Sequence, residues 1–216
     1  MLLAGLFAGV LFIALVLGDW LQFTSLTVQA ARYGCRIARV EDRLPLASLE
    51  KVMAQFGGNG LLQLPNGAAR LFPDERQLLL RPQRRFRTAW PMKGSIELRQ
   101  DGKTTTLVCS KLIPWSSAIL TLLWFLTVGI GTLTFAILYL ADGGLSSFTG
   151  MLMGLGILGI GLLVVAFGLV TIALAYRLEN HRLMQAYQDL RAAIERMRGP
   201  SPSEDITTRP DAGGKD

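Results

Sequence analysis

From Arg81 to Arg87 the chain reads Arg-Pro-Gln-Arg-Arg-Phe-Arg, four guanidinium groups around one aromatic ring. Arg81, Arg84, Arg85 and Arg87 carry forked N–H donors that suit phosphate, and Phe86 has a face on which a base can stack. This composition serves an anionic membrane surface, at ~1 kcal/mol of attraction per cation, or the acidic face of a protein partner. RNA or DNA is the least favoured ligand, because a basic run alone carries no base-reading signature. The plain alternative is a solvated basic loop.

Residues for catalysis are not assembled in the same way. The one histidine, His181, falls on the solvent side of a helical seam. Glu41-Asp42 and Asp74-Glu75 read as turn and surface acids rather than as an acid and base pair. Cys35 and Cys109 lie 74 residues apart and form neither a CxxC motif nor a disulfide framework. Walker, HExxH and GxSxG motifs are absent from the sequence. The expectation is a protein that is not an enzyme and uses no cofactor or metal.

The elements that would position the arginine segment are set by three uncharged apolar runs, Leu2 to Gly18, Ile113 to Ala141 and Phe148 to Tyr176. Each can cross a hydrocarbon core of ~30 Å at ~1.5 Å per helical residue. All 22 Lys and Arg residues fall outside them. The expected fold class is an α-helical integral membrane protein with three transmembrane helices (1–18, 113–141, 148–176) and a small α+β domain (19–112) inserted between the first two. A hairpin (142–147), an amphipathic helix (177–198) and a disordered tail (199–216) complete the layout.

Charge orients it. The insert carries 15 Lys and Arg against 8 Asp and Glu, and cations near the ends of the runs include Arg32, Arg36, Lys93, Lys111, Arg177 and Arg182, whereas the hairpin has none. The positive-inside rule then puts the N-terminus and hairpin outside and the insert and C-terminus in the cytoplasm of a bacterial-type inner membrane. The first run lacks the basic start and small-residue cleavage site of a secretory signal, so it is read as a retained span.

Within the insert, Leu46, Leu49, Val52, Met53 and Phe56 repeat at helical spacing before Gly57-Gly58. Leu61 to Leu64, Pro65-Asn66-Gly67 and Ala68 to Phe72 form one hairpin signature; Ser95 to Arg99, Asp101-Gly102 and Thr104 to Val108 form another. Gln77 to Arg81 and Thr27 to Arg32 are further strand candidates, in a domain expected to hold about five strands and one helix.

Two packing surfaces remain. Gly154, Gly161 and Gly168 recur every seventh position, and Gly150 precedes them in a GxxxG; such residues let helix backbones approach, either within the chain or against another membrane protein. Leu183, Tyr187, Leu190, Ile194 and Met197 continue a three-and-four spacing beyond the third run, the seam of a coiled coil. That seam can pair with another helix, dock on the chain's own domain or lie on the membrane.

In order and sidedness this layout resembles the motor-stator family of TolQ and ExbB, with Gly161 to Tyr176 as the nearest local echo. The resemblance implies an oligomeric transport or energy-coupling subunit and carries over no functional residue. The residues themselves point first to a non-catalytic inner-membrane adaptor or assembly subunit. Its expected partners are membrane lipid and another membrane protein or further copies of itself.

Overall fold

A computed structural model describes residues 2–45, 56, 58–83, 88–101 and 104–196. Three of its helices are long and apolar enough to cross a membrane: α1 (Leu2–Thr24), α3 (Trp115–Ala141) and α4 (Phe148–Arg196). A short helix α2 (Val28–Arg32) follows α1. Six strands then precede α3 in chain order: β1 (Cys35–Pro45), β2 (Leu61–Leu64), β3 (Gly67–Phe72), β4 (Gln77–Pro82), β5 (Lys93–Asp101) and β6 (Thr104–Ile113). They make one antiparallel sheet in the order β1-β6-β5-β4-β3-β2.

Local chemistry explains the strand junctions. Leu64 pairs with Gly67, so the first hairpin turns on Pro65-Asn66, and Gly67 begins the return strand. A Cβ on Gly67 would strike the backbone oxygen of Arg81 and approach the Ala186 methyl of α4 to 3.1 Å. Glycine there lets the helix lie close on the strand. A 3₁₀ turn at Pro73–Glu75, ended by Arg76 at φ 49°, links β3 to β4. Asp101 pairs with Thr104 at the head of the β5–β6 hairpin.

Two expectations are corrected. Thr27 to Arg32 is a helix rather than a strand, because the Thr27 hydroxyl accepts from the Ala30 amide and caps the turn, while Ala30 and Ala31 pack flat on the sheet. The sheet has six strands rather than about five; the unforeseen member is β1, which pairs with β6 along nearly its whole length and bulges between Arg36 and Ala38. The expected helix from Leu46 lies outside the described residues except for Phe56, which is buried in the core. The segment 199–216 also lies outside them.

β4 shows how the sheet is covered. Leu78 and Leu80 face the half of α4 beyond Tyr176, where Leu183, Ala186, Tyr187, Leu190 and Ile194 join Ile96, Leu107 and Cys109 in the main core. Leu79 points to the opposite face and packs with Ala31 and Phe72 under α2. A strand buried on both faces reads as an unbroken apolar run, which is why Leu78 to Leu80 lacks alternation. Each large side chain of the α4 seam contributes ~1.5–3 kcal/mol by leaving water.

In the apolar halves, α3 and α4 pair across the turn at 142–147. A Cβ on Gly161 would lie 2.6 Å from the Thr132 side chain and one on Gly154 2.9 Å from the Tyr139 ring. One on Gly168 would overlap Trp124, and one on Gly150 the backbone oxygen of Gly144. The glycine seam therefore serves close approach within this chain.

Candidate functional site

Three cations on the α2 face of the sheet converge on the end of α1. An α-helix ends in carbonyls with no partner inside the helix and with the negative pole of its dipole. Here the Phe23 carbonyl accepts from Arg81 Nη2 at 3.0 Å and from Lys93 Nζ at 3.2 Å. The Leu26 carbonyl, just past the helix, accepts from Arg70 Nη1 at 2.6 Å. Lys93 Nζ also donates to the Ala30 carbonyl of α2 at 2.5 Å and stands 3.9 Å from the centroid of the Phe23 ring. Sheet cations thus cap the helix from a distance in sequence.

Lys93 is the unusual member. It is 1% exposed, and its pKa is pushed down to about 7, first by burial and then by the nearby Arg81 charge, with Asp19 opposing. Two carbonyls and an aromatic face provide the polar surroundings that a buried ammonium requires.

A second knot ties α1 to α3. Asp19 Oδ2 accepts from the Ser116 amide at 2.9 Å and from its hydroxyl at 2.5 Å, so a carboxylate sits at the start of α3, where the helix dipole favours negative charge. Tyr33 donates to Asp19 Oδ1 at 2.5 Å. That bond raises the Tyr33 pKa to about 12, because losing the proton would leave two anions face to face. Ser117 adds a bond to the Ala89 carbonyl.

Between these knots and α4 lies a cavity of about 60 Å³, walled by Trp20 and Phe23 of α1, Arg81 and Lys93 of the sheet, and Glu179 and Arg182 of α4. Glu179 is buried and accepts from Thr88 at 2.9 Å and from Arg182 at 3.2 Å. The lining brings the cations Arg81, Lys93 and Arg182 and the carboxylate Glu179 together beside the rings of Trp20 and Phe23.

The residues singled out by sequence fall as follows. Arg81 is at this cavity, and Gln83 and Thr88, which flank 84–87, stand beside it. Arg84, Arg85, Phe86 and Arg87 lie outside the described residues. Leu183, Tyr187, Leu190 and Ile194 are buried against the sheet, and Met197 lies outside the described residues. His181 is exposed beside Gln185. Asp42 pairs with Arg191 at 2.8 Å, Glu41 with Arg39 at 2.7 Å and Glu75 with Arg32 at 2.5 Å. Cys109 is buried and its thiol is pushed up to about 11, while Cys35 is half-buried.

In the sequence Lys93 stands out only as a cation near an apolar run. The available signal was the string of small residues, Ala30, Ala31 and Ser95, which leave room for α2 to cover that face. Among the described residues no group of three His, Cys, Asp or Glu is placed to hold a metal. Comparison with known proteins places the chain in no family: no family model, curated protein or solved structure matches it.

Proposed function

We propose that this chain is a non-catalytic adaptor or assembly subunit of a bacterial-type inner membrane. In this reading α1, α3 and the first part of α4 cross the bilayer, with the N-terminus and the 142–147 turn outside. The sheet and the far end of α4 lie in the cytoplasm. The local charge bias supports that orientation, since Arg32, Arg36, Lys93, Lys111, Arg177 and Arg182 stand at one side of the apolar segments.

One observation carries the adaptor role. The α1 helix is fastened to the sheet and to α3 at its last turns, through Asp19 and Phe23. Most of its large apolar side chains from Leu6 to Leu17 remain 49–70% exposed, with Val16 half-buried. A span held at one end and bare along its length can accept a helix of another membrane protein, and its rigid seat on the sheet couples that contact to the cytoplasmic domain. Gly5 and Gly9 on α1 meet nothing in the chain, which suits backbone approach by such a partner.

A second reading, an oligomeric transport or energy-coupling subunit of TolQ/ExbB-like topology, is favoured by Gly129, Gly131, Gly156 and Gly159. These meet no other group within the chain and lie on surfaces where further copies can pack. Mass measurement of the complex extracted in mild detergent separates the two. A one-to-one assembly with another membrane protein, lost on Gly9→Leu, is expected; a ring of five or more copies of this chain overturns the adaptor reading.

A further inference from the structure

We propose that residues 25–32, the turn after α1 together with α2, form a strap that lifts from the sheet as a unit, and that Lys93 is its proton-sensitive latch. The inference goes beyond the adaptor reading and does not depend on it.

Both ends of the strap are fixed. Before it, the Phe23 carbonyl is held by Arg81 and Lys93, and Asp19 is tied to Ser116 of α3. After it, Tyr33 donates to the same Asp19 carboxylate, so the chain from 19 to 33 closes on itself. Gly34 then turns the backbone into β1 at φ 132°, where a Cβ would lie 2.8 Å from the Ile113 carbonyl oxygen. A segment that moves between two such anchors leaves the rest of the fold in place.

The strap itself is lightly held. Ala30 and Ala31 are buried but have little side chain to bury, and Leu26 and Val28 are half-buried beside Phe72 and Leu79. Arg32 reaches Glu75 and Gln77 with its own side chain 62% exposed, so water screens that contact. Its bonds to β3 and β5 come from Arg70, on the Leu26 carbonyl, and Lys93, on the Ala30 carbonyl. Elements with so little buried apolar surface open below the free energy of global unfolding.

Lys93 differs from Arg70 in that it can lose its charge. In the closed strap its ammonium has exchanged water for two carbonyls and the Phe23 ring. The charged side chains on the elements around it are Asp19 of α1, Arg32 of α2, Arg70 of β3, Arg81 of β4, and Glu179 and Arg182 of α4, and Arg81 and Arg182 have further partners of their own. Burial first and Arg81 second lower the Lys93 pKa to about 7, with Asp19 opposing, whereas an ordinary lysine titrates near 10.5. Lifting the strap returns the amine to water, so the open form binds the proton more tightly. Protons therefore favour opening, and rising pH closes the strap over a neutral amine that still donates to both carbonyls. Tyr33, with its pKa raised to about 12, keeps its proton throughout.

The test is hydrogen exchange of the full chain in mild detergent, read by mass spectrometry between about pH 6 and 9 and divided by the intrinsic amide rates. A five-residue helix does not persist off the sheet, so lifting frees the amides of Ala30, Ala31 and Tyr33. These are expected to exchange well ahead of the β5–β6 amides around Ile96 and Cys109. Their opening constant is expected to fall by up to about tenfold per pH unit from 7 to 9 and to level off below 7. Lys93→Met is expected to flatten that profile, and Arg70→Gln to raise opening ~5–10-fold at every pH while keeping the slope. Strap amides as protected as those of β5 and β6 overturn the strap, since the fold then opens only as a whole. A strap that opens early but independently of pH, or a Lys93→Met chain that keeps the wild-type slope, overturns the latch. Where Lys93→Met does not fold, the wild-type and Arg70→Gln profiles decide by the same two criteria, protection and slope.

Discussion

The two faces of the sheet are held by different physics. Against the far half of α4 the sheet presents Leu78, Leu80, Ile96 and Leu107, and the helix answers with Leu183, Leu190 and Ile194. Against α1 and α2 it presents Arg70, Arg81 and Lys93, and the helices answer with backbone carbonyls. The first contact is non-directional and insensitive to salt. The second is directional, depends on protonation, and fixes where one particular helix end must stand. One strand serves both: Leu80 belongs to the first face and its neighbour Arg81 to the second.

Perturbing the apolar face gives the largest effect. Leu183 is fully buried between α4 and the sheet, so Leu183→Ala is expected to destabilise the domain by ~2–5 kcal/mol through lost transfer energy and a residual cavity. Hydrogen exchange of the β4–β6 amides in detergent reads it; unchanged protection means that α4 is not seated there. A steric change between the apolar halves comes next. Gly161→Leu adds bulk where even a Cβ would lie 2.6 Å from Thr132, and is expected to cost ~1–3 kcal/mol. An engineered disulfide between Thr132→Cys and Gly161→Cys would report the native approach by forming readily.

The cationic face is broken with protons. Because the folded-state pKa of Lys93 lies near 7 and an unfolded lysine titrates near 10.5, the unfolded chain holds more protons between those values. Stability is therefore expected to rise with pH from about 7 to 10.5, with this residue adding at most ~1.4 kcal/mol per pH unit, and the penalty is fully present below 7. Tyr33 opposes this only at higher pH, since its raised pKa means that the stabilising proton is lost above the ordinary tyrosine range. Thermal melts of wild type and Lys93→Met across that window check the sign, and a folded variant with an unchanged slope removes Lys93 as the source. The smallest effect belongs to the rim: Asp42→Asn breaks the Arg191 pair, whose side chains are 24% and 43% exposed, and is expected to lower stability least of all these changes, by an amount that fades with salt. A salt-independent loss would assign Asp42 to the Tyr187 contact instead.

These two faces were unequally legible. The seam residues from Leu183 to Ile194 announce themselves by spacing, because a helix that buries one side must repeat apolar residues every three or four positions. The β2–β3 and β5–β6 hairpins are equally plain, since turn chemistry and alternation are local. β1 hides because it is an edge strand whose bulge at Ile37 interrupts alternation and whose exposed side is crowded with Arg36, Arg39, Glu41 and Arg43. Lys93 hides for a different reason. With Ser95, Glu97 and Arg99 it forms the polar side of a strand that reads as solvent-facing, and only the non-local arrival of α1 and α2 turns its first residue into a buried cation.

The unbroken course of α4 over 49 residues has a mechanical corollary. About 30 Å of rod extends from Tyr176 to Arg196 at ~1.5 Å per residue, so a tilt of ~10° about Tyr176 sweeps its tip through ~5 Å. The sheet rides on that lever while its opposite face is moored to α1. Relative leaning of α1 and α4 therefore becomes shear across a six-strand plate, and the cavity at Lys93 is lined by both helices and by the sheet between them.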